Sequence, residues 1–290
     1  MNGHESAPRL LDLDGVEVAT WRLGPRDVSD SRGDVVLCHG TPWSSVVWAD
    51  VARDLARDHT VHLWDMPGYG RSAMDGTAAI DLATQMGRLA RLLDRLDLAR
   101  PHLVAHDVGG AVALGAHLLE GRELASLMLW DPVVLEPWGS AFFRLVAENA
   151  ETFSALPLPL HRALVREYIV GAARRPLPAD TLDALAGPWG SDVGERAFYR
   201  QIAALRPEHT RPVAAELGDV RCRVSIGWGE DDPWIPVSRA ARLSALLPGA
   251  PEPHVLPGVG HLAPLEAPEA VTRLVGEWVR ESATGIQPNG

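Results

Sequence analysis

Short apolar runs alternate with helical spacing along both ends of this 290-residue chain. No other feature narrows the fold as much. DVVLCHG at 34–40, TVHLWDMPGYG at 60–70, HLVAHD at 102–107, LASLMLWDPVV at 124–134, RVSIGWG at 223–229 and PHVLPGVGH at 253–261 each read as a strand running into a turn. Runs this short and apolar suit strands covered on both faces. Helical patterns stand between them, near 44–57, 79–97, 109–121, 237–247 and 267–282. In the second of these, Ile80, Leu82, Met86, Leu89, Leu92, Leu93 and Leu96 recur at helical spacing. RLLDLD and VEVATWR flank Gly15 as a hairpin. The rhythm breaks from 136 to 218, where the pattern is helical and broken by prolines. The expected class is therefore α/β, with a mostly parallel sheet between helices. The chain divides into three segments: core at 1–135, a helical cap at 136–218, and core again at 219–290.

That class decides which residues can meet. Right-handed crossovers bring the C-terminal ends of parallel strands to one edge, and ligands bind there. The residues just past those strands are His39-Gly40-Thr41-Pro42, Asp107, Gly229-Glu230-Asp231-Asp232-Pro233 and Gly258-Val259-Gly260-His261. HDVGG at 106–110 fits a sharp strand-to-helix turn, in which glycines permit close packing around an exposed central residue. The central residue is Asp107, flanked by apolar neighbours, where a carboxylate loses solvation. Helix N-terminal amides and a nearby imidazole would offset that cost.

The chemistry is set by the residue types. Asp107 is expected to attack a saturated carbon and form an ester with it. His261 would then activate water against that ester, with Asp232 orienting the imidazole. Asp131 and Asp231 are rivals for the orienting role. Backbone N–H groups of Thr41 and Val108 would hold the oxyanion. Tyr199, Tyr168, Trp43, His39 and His106 are candidates for contact with substrate, and Trp138, Trp189 and Trp234 are further candidates for lining the pocket. A helix cap is the plain alternative role for Asp107.

Composition excludes several classes. The net charge is −11, and no basic block suits nucleic acid. All 27 basic residues are Arg, which removes a Lys nucleophile, a Schiff base and a phosphate-loop lysine. Cys38 and Cys222 form no CxxC pair, so neither a Cys-based zinc site nor a disulfide framework is expected. No metal, other cofactor or membrane span is expected; the partner is a small, apolar molecule and the setting the cytoplasm. The start of the chain does not read as a signal peptide, and SATGIQPNG at 282–290 reads as a frayed tail. Oligomeric state is left open.

Five ordered motifs carry a resemblance: HGTP at 39–42, DMPGYGRS at 65–72, HDVGG at 106–110, GEDDPWIP at 229–236 and GVGHLAPLEAP at 258–268. Over nearly its whole length the chain resembles the α/β-hydrolase superfamily. Within it, the chain is similar to the Asp-nucleophile branch of soluble epoxide hydrolases and haloalkane or haloacetate dehalogenases. The resemblance implies an eight-stranded, mostly parallel sheet with helices on both faces and an inserted cap. It also implies a cis Thr41–Pro42 bond, and the triad Asp107, Asp232 and His261. Epoxide hydrolases protonate the leaving oxygen from cap tyrosines. Tyr199, in AFYRQI, resembles one such motif and Tyr168 is the second candidate; Tyr69 is read as part of a turn. Haloalkane dehalogenases carry Trp after the nucleophile and Asn in HGNP, and haloacetate dehalogenases carry Arg after the nucleophile. Here those positions are Val108 and Thr41. Hydrolysis of an epoxide to a diol is therefore the expected reaction. Dehalogenation is the first alternative, and a cyclase or lyase using Asp107 as general base is the second. A binding protein without catalysis would have no physical need for the full triad.

Overall fold

A computed structural model describes residues 7–283. Of the tail read as frayed, residues 284–290 lie outside that range, as do residues 1–6 of the chain's start. Eight strands form one sheet: β1 Arg9–Leu13, β2 Val16–Leu23, β3 Asp34–Cys38, β4 Thr60–Trp64, β5 His102–His106, β6 Ser126–Trp130, β7 Arg223–Gly229 and β8 His254–Leu256. Their order is β1-β2-β4-β3-β5-β6-β7-β8. β1 and β2 form an antiparallel hairpin around Gly15, and β2 runs antiparallel to β4. Every other pair is parallel. β4, β5 and β6 are buried at all five positions, as strands covered on both faces must be.

Among the described residues, twelve α-helices accompany the sheet. In the first half they are α1 Ala49–Leu55, α2 Leu82–Arg95 and α3 Val108–Leu118. A helical excursion joins β6 to β7: α4 Ala141–Glu148, α5 Ala150–Phe153, α6 Leu158–Val170, α7 Ala179–Ala186, α8 Asp192–Ala204 and α9 Arg211–Ala215. The chain closes with α10 Ser238–Ser244, α11 Ala263–Glu266 and α12 Pro268–Ala283. Helices α2 and α3 pack on each other, and α1 packs on α12. No helix among the described residues is long and apolar enough to cross a membrane.

The sheet order reverses between β3 and β5: the chain leaves β3 for β4 on one side and returns to β5 on the other. A crevice opens at such a reversal, beyond the strand ends. Residues 39–41 follow β3 and Asp107 follows β5, so both flank that crevice. The strand expected over 253–261 is shorter than its pattern, stopping at Leu256. Beyond it the backbone bonds elsewhere. His261 N–H donates to Ala172 O, and the Gly260 and Leu262 N–H groups donate to the Glu266 carboxylate. Arg175 reaches Pro257 O and Gly258 O. These bonds shape a loop, and the loop carries His261 to the crevice.

Candidate active site

Asp107 sits between β5 and α3 at φ 55° and ψ −130°, a strained conformation for a non-glycine residue. The surroundings enforce it. Asp107 N–H donates to Trp130 O, and Asp107 O accepts from Gly110 and Val133 N–H. A Cβ on Gly109 would lie 2.4 Å from His39 O, and one on Gly110 would lie 2.6 Å from Pro132 Cβ. The two glycines therefore let the turn close against β3 and against the residues after β6. This geometry is not that of a helix cap; no side-chain capping bond is made by Asp107.

Asp107 is 2% exposed. Thr41 N–H donates to its Oδ2 at 2.6 Å. Thr41–Pro42 is cis. His261 Nε2 stands 3.7 Å from Asp107 Oδ1, beyond hydrogen-bond reach. His261 Nδ1 is bonded to Asp232 Oδ2 at 2.8 Å, and Asp232 Oδ1 accepts the Trp234 and Ile235 N–H groups. Of the three candidate carboxylates, Asp232 is the one bonded to the imidazole. Asp231 instead pairs with Arg174 and is 44% exposed. Asp131 is fully buried but makes no direct bond to His261; its Oδ1 accepts Gly229 N–H.

Burial pulls the His261 imidazolium down, but Asp232 and Asp107 outweigh it and hold the group well above the ordinary histidine range. Burial also pushes Asp107 above the usual carboxylate range, with His261 and the Thr41 amide opposing it.

Neither of the other two histidines faces the reaction centre. His39 Nε2 accepts from Met66 N–H, so its proton lies on Nδ1 and is given to Gly40 O. Burial holds it below the ordinary histidine range, neutral. His106 Nε2 bonds the His261 carbonyl at 2.8 Å and so braces that residue's backbone. Both act on the backbone, and the expected contact with substrate is corrected for both.

The tyrosines exchange the standing their motifs suggest. Tyr199 is fully buried within the helical excursion. His161 Nε2 bonds Trp189 O, leaving its Nδ1 to accept the Tyr199 hydroxyl at 2.9 Å. That phenol is committed to His161, and Tyr199 does not line the cavity beside Asp107. Tyr168 does, with Thr41, Val108, Trp138, Phe143 and Trp234. Burial, reinforced by Asp107, raises the Tyr168 phenol above its ordinary value, so it stays protonated. Trp234 stacks on Tyr168 at 4.7 Å and on Trp43 at 5.6 Å. Trp43 therefore stands a ring behind the wall rather than in it. Trp189 donates its indole N–H to Pro42 O, bracing the Thr41 loop. The cavity has about 30 Å³ of free space for solvent centres, where one water needs about 10–15 Å³.

Three further residues support the site through hydrogen bonds that the spacing of their motifs does not reveal. Gln201 on α8 accepts the Thr41 hydroxyl at 2.6 Å and the Tyr69 hydroxyl at 2.9 Å, tying the excursion to the loop over Asp107. Glu266 accepts four backbone N–H groups, from Arg174, Arg175, Gly260 and Leu262. Asp65, in DMPGYGRS, holds Ser45 and Arg71 N–H groups and supports the turn.

Comparison with known proteins agrees with this architecture. A family model described as "Alpha/beta hydrolase family" matches residues 35–274. A crystal structure of an alpha/beta hydrolase fold protein from Burkholderia ambifaria is 38% identical, with a TM-score of 0.88, over 93% of this chain and 97% of that one. RutD of Pseudomonas savastanoi pv. phaseolicola, named as a carbamate hydrolase, is 30% identical over 74% of this chain and 82% of its own. The 2-hydroxy-6-oxo-6-phenylhexa-2,4-dienoate hydrolase of Burkholderia cepacia is 27% identical over 93% and 96%. Neither of these two names carries the epoxide or halide chemistry that the motifs suggest.

Proposed function

The chain belongs to the alpha/beta hydrolase family, and on that premise we propose that it hydrolyses a small epoxide through an ester on Asp107. One observation carries the reading: a carboxylate occupies the elbow, with one oxygen bonded to the Thr41 amide and the other facing His261. Asp107 Oδ1 attacks a ring carbon, and the carbon–oxygen bond opens. Tyr168 gives its proton to the departing oxygen, because it is the phenol that shares the cavity with Asp107. The phenolate regains a proton from the His261 imidazolium through solvent. Esterification has removed the Asp107 charge, so one of the two anions holding that proton is gone. The neutral imidazole then takes a proton from water, and the oxygen of that water attacks the Asp107 carbonyl carbon. Thr41 N–H, with Val108 N–H as its proposed partner, bears the oxyanion. Collapse breaks the bond between the Asp107 carbonyl carbon and the alkoxide oxygen, the proton of the added hydroxyl passes to that oxygen, and the diol leaves with carboxylate, imidazolium and phenol restored. In this reading the helical excursion acts as the cap, and residues 136–218 form it.

The halide alternative has less support. Val108 and Thr41 replace the donors that resemblance would place around a leaving ion, whereas a protonated phenol suits an oxygen leaving group.

Intact mass measurement on His261→Phe tests the proposal, because attack proceeds without the base while ester hydrolysis stalls. Propylene oxide and styrene oxide would be offered beside short haloalkanes. A gain of one whole epoxide, located on Asp107, is the expected result. A gain equal to a haloalkane less its hydrogen halide would move the reading to dehalogenation. No adduct with any compound would sink the ester and turn Asp107 into a general base.

A further inference from the structure

Asp131, the first residue after β6, is fully buried at φ 43°. One oxygen each of Asp131 and Asp232 and a ring nitrogen of His261 all lie within 4.8 Å of one another. No step proposed above uses Asp131. A second carboxylate against an imidazole and its partner is costly if charged, so its protonation state matters to the base.

The two carboxylates are not equally supported. Asp232 accepts three N–H groups, from Trp234, Ile235 and His261 Nδ1. Asp131 accepts one, Gly229 N–H at 2.8 Å, and its Oδ2 has no hydrogen-bond partner among the described residues. Buried like charges this close do not both ionise, and the better-solvated one keeps the charge. The anion therefore belongs to Asp232. The three groups also lie within reach of one cation. An ion there would have to break the 2.8 Å bond between His261 and Asp232, so a protonated Asp131 describes the trio better than a bound cation.

We propose that Asp131 is held as a neutral carboxylic acid, and that its neutrality limits the negative charge beside His261 so that the imidazole can release its proton at the ester stage. The titratable groups around it are Asp232, His261 and Glu266, with Asp107 beyond the imidazole. Burial is the largest influence on Asp131 and Asp232 adds to it, raising the group well above the ordinary carboxylate range; His261 and the Gly229 amide oppose. Asp131 is a positioning residue, acting through His261. Ionised, it would supply a second anion and keep the imidazolium charged when a base is needed. Turnover should then decline on the alkaline side as Asp131 loses its proton.

The role rests on the hydrolytic reading, but the protonation state does not, and the test separates them. Infrared spectra of the wild type, Asp131→Asn and Asp232→Asn would be compared at neutral pH, with folding checked by thermal melting. The wild type should show a protonated-carboxyl band that Asp131→Asn lacks. Asp232→Asn should lack it too, because Asp131 then takes the charge. If Asp131→Asn leaves that band intact, or Asp232→Asn retains it, the proposal is overturned whatever the substrate. With propylene oxide, the alkaline decline in kcat should move up by about one pH unit or more in Asp131→Asn. A decline that stays in place would overturn the role while leaving the Asp107 ester standing. Stability gives a further readout. A raised carboxyl stabilises fully below its unfolded value of about 4, and that contribution is lost as pH rises through the folded value. Asp131→Asn should therefore gain on the wild type in urea unfolding as pH rises from about 4, and the gain should vanish in acid. A pH-independent difference would count against a buried neutral acid.

Discussion

At the residue scale, the site depends on which groups carry protons. On the proposed mechanism Asp107 must be ionised to attack, and burial raises it. The acid limb of kcat/KM reports the free enzyme, so its midpoint should stand above the ordinary carboxylate value of about 4. Activity should be lost below that midpoint, and a pH–rate profile on propylene oxide checks it; a midpoint at or below the ordinary value would mean that His261 and the Thr41 amide overcome burial. The tyrosines give a second prediction. Tyr168→Phe should lower kcat by roughly 10²-fold, the low end for loss of a general acid. Tyr199→Phe should cost stability instead, about 1–3 kcal/mol for leaving buried His161 Nδ1 without its donor. The reverse pattern, measured as kcat and as urea midpoints of both variants, would restore Tyr199 to the site.

At the scale of elements, His261 is placed by a loop rather than by its strand. β8 ends at Leu256, and the chain reaches His261 through backbone groups bonded to Glu266, Arg175 and Ala172 O. Glu266 gathers four N–H donors, two from the loop around His261 and two from the segment after α6. It therefore fastens the excursion and the His261 loop to one carboxylate. Glu266→Gln keeps the shape and removes the charge. We expect a loss of about 1.5–3 kcal/mol in unfolding free energy, the range for hydrogen bonds to a charged group, together with a drop in kcat. Unchanged kcat at unchanged stability would show that the loop holds itself. The GVGHLAPLEAP stretch makes the histidine conspicuous, while nothing in its spacing shows that Glu266 turns back onto the same loop.

At the scale of the molecule, access to Asp107 depends on how the excursion sits over the sheet. Gln201 reaches Thr41 and Tyr69, Trp189 reaches Pro42, and Arg175 reaches Pro257 and Gly258. With these contacts closed, the cavity leaves about 30 Å³ for solvent centres within about 380 Å³ of space not filled by atoms. Propylene oxide should therefore exceed styrene oxide in kcat/KM by roughly 10-fold or more, about 1.4 kcal/mol for displacing packed side chains. Equal values for the two would mean that the excursion opens at little cost.

The sheet, and the nearness of Asp107, Asp232 and His261, were legible in the sequence because both depend on period and position. A two-faced apolar strand can sit only inside a covered sheet, and parallel strands bring the residues just past their C-terminal ends to one edge. Asp107, Asp232 and His261 therefore had to lie near one another once the strands were placed. The pairing of Asp232 with His261, rather than Asp131 or Asp231, needed the actual hydrogen bonds. The choice between Tyr168 and Tyr199 also lay outside the sequence, since helical spacing shows which face of α6 or α8 is buried but not what it is buried against. Tyr199 carries the more suggestive motif, yet its phenol is bound to His161, and only the docking of α6 on α8 reveals that. Sequence periodicity determined the sheet edge where chemistry can occur; tertiary packing decided which polar atoms at that edge are already spent and which remain free to react.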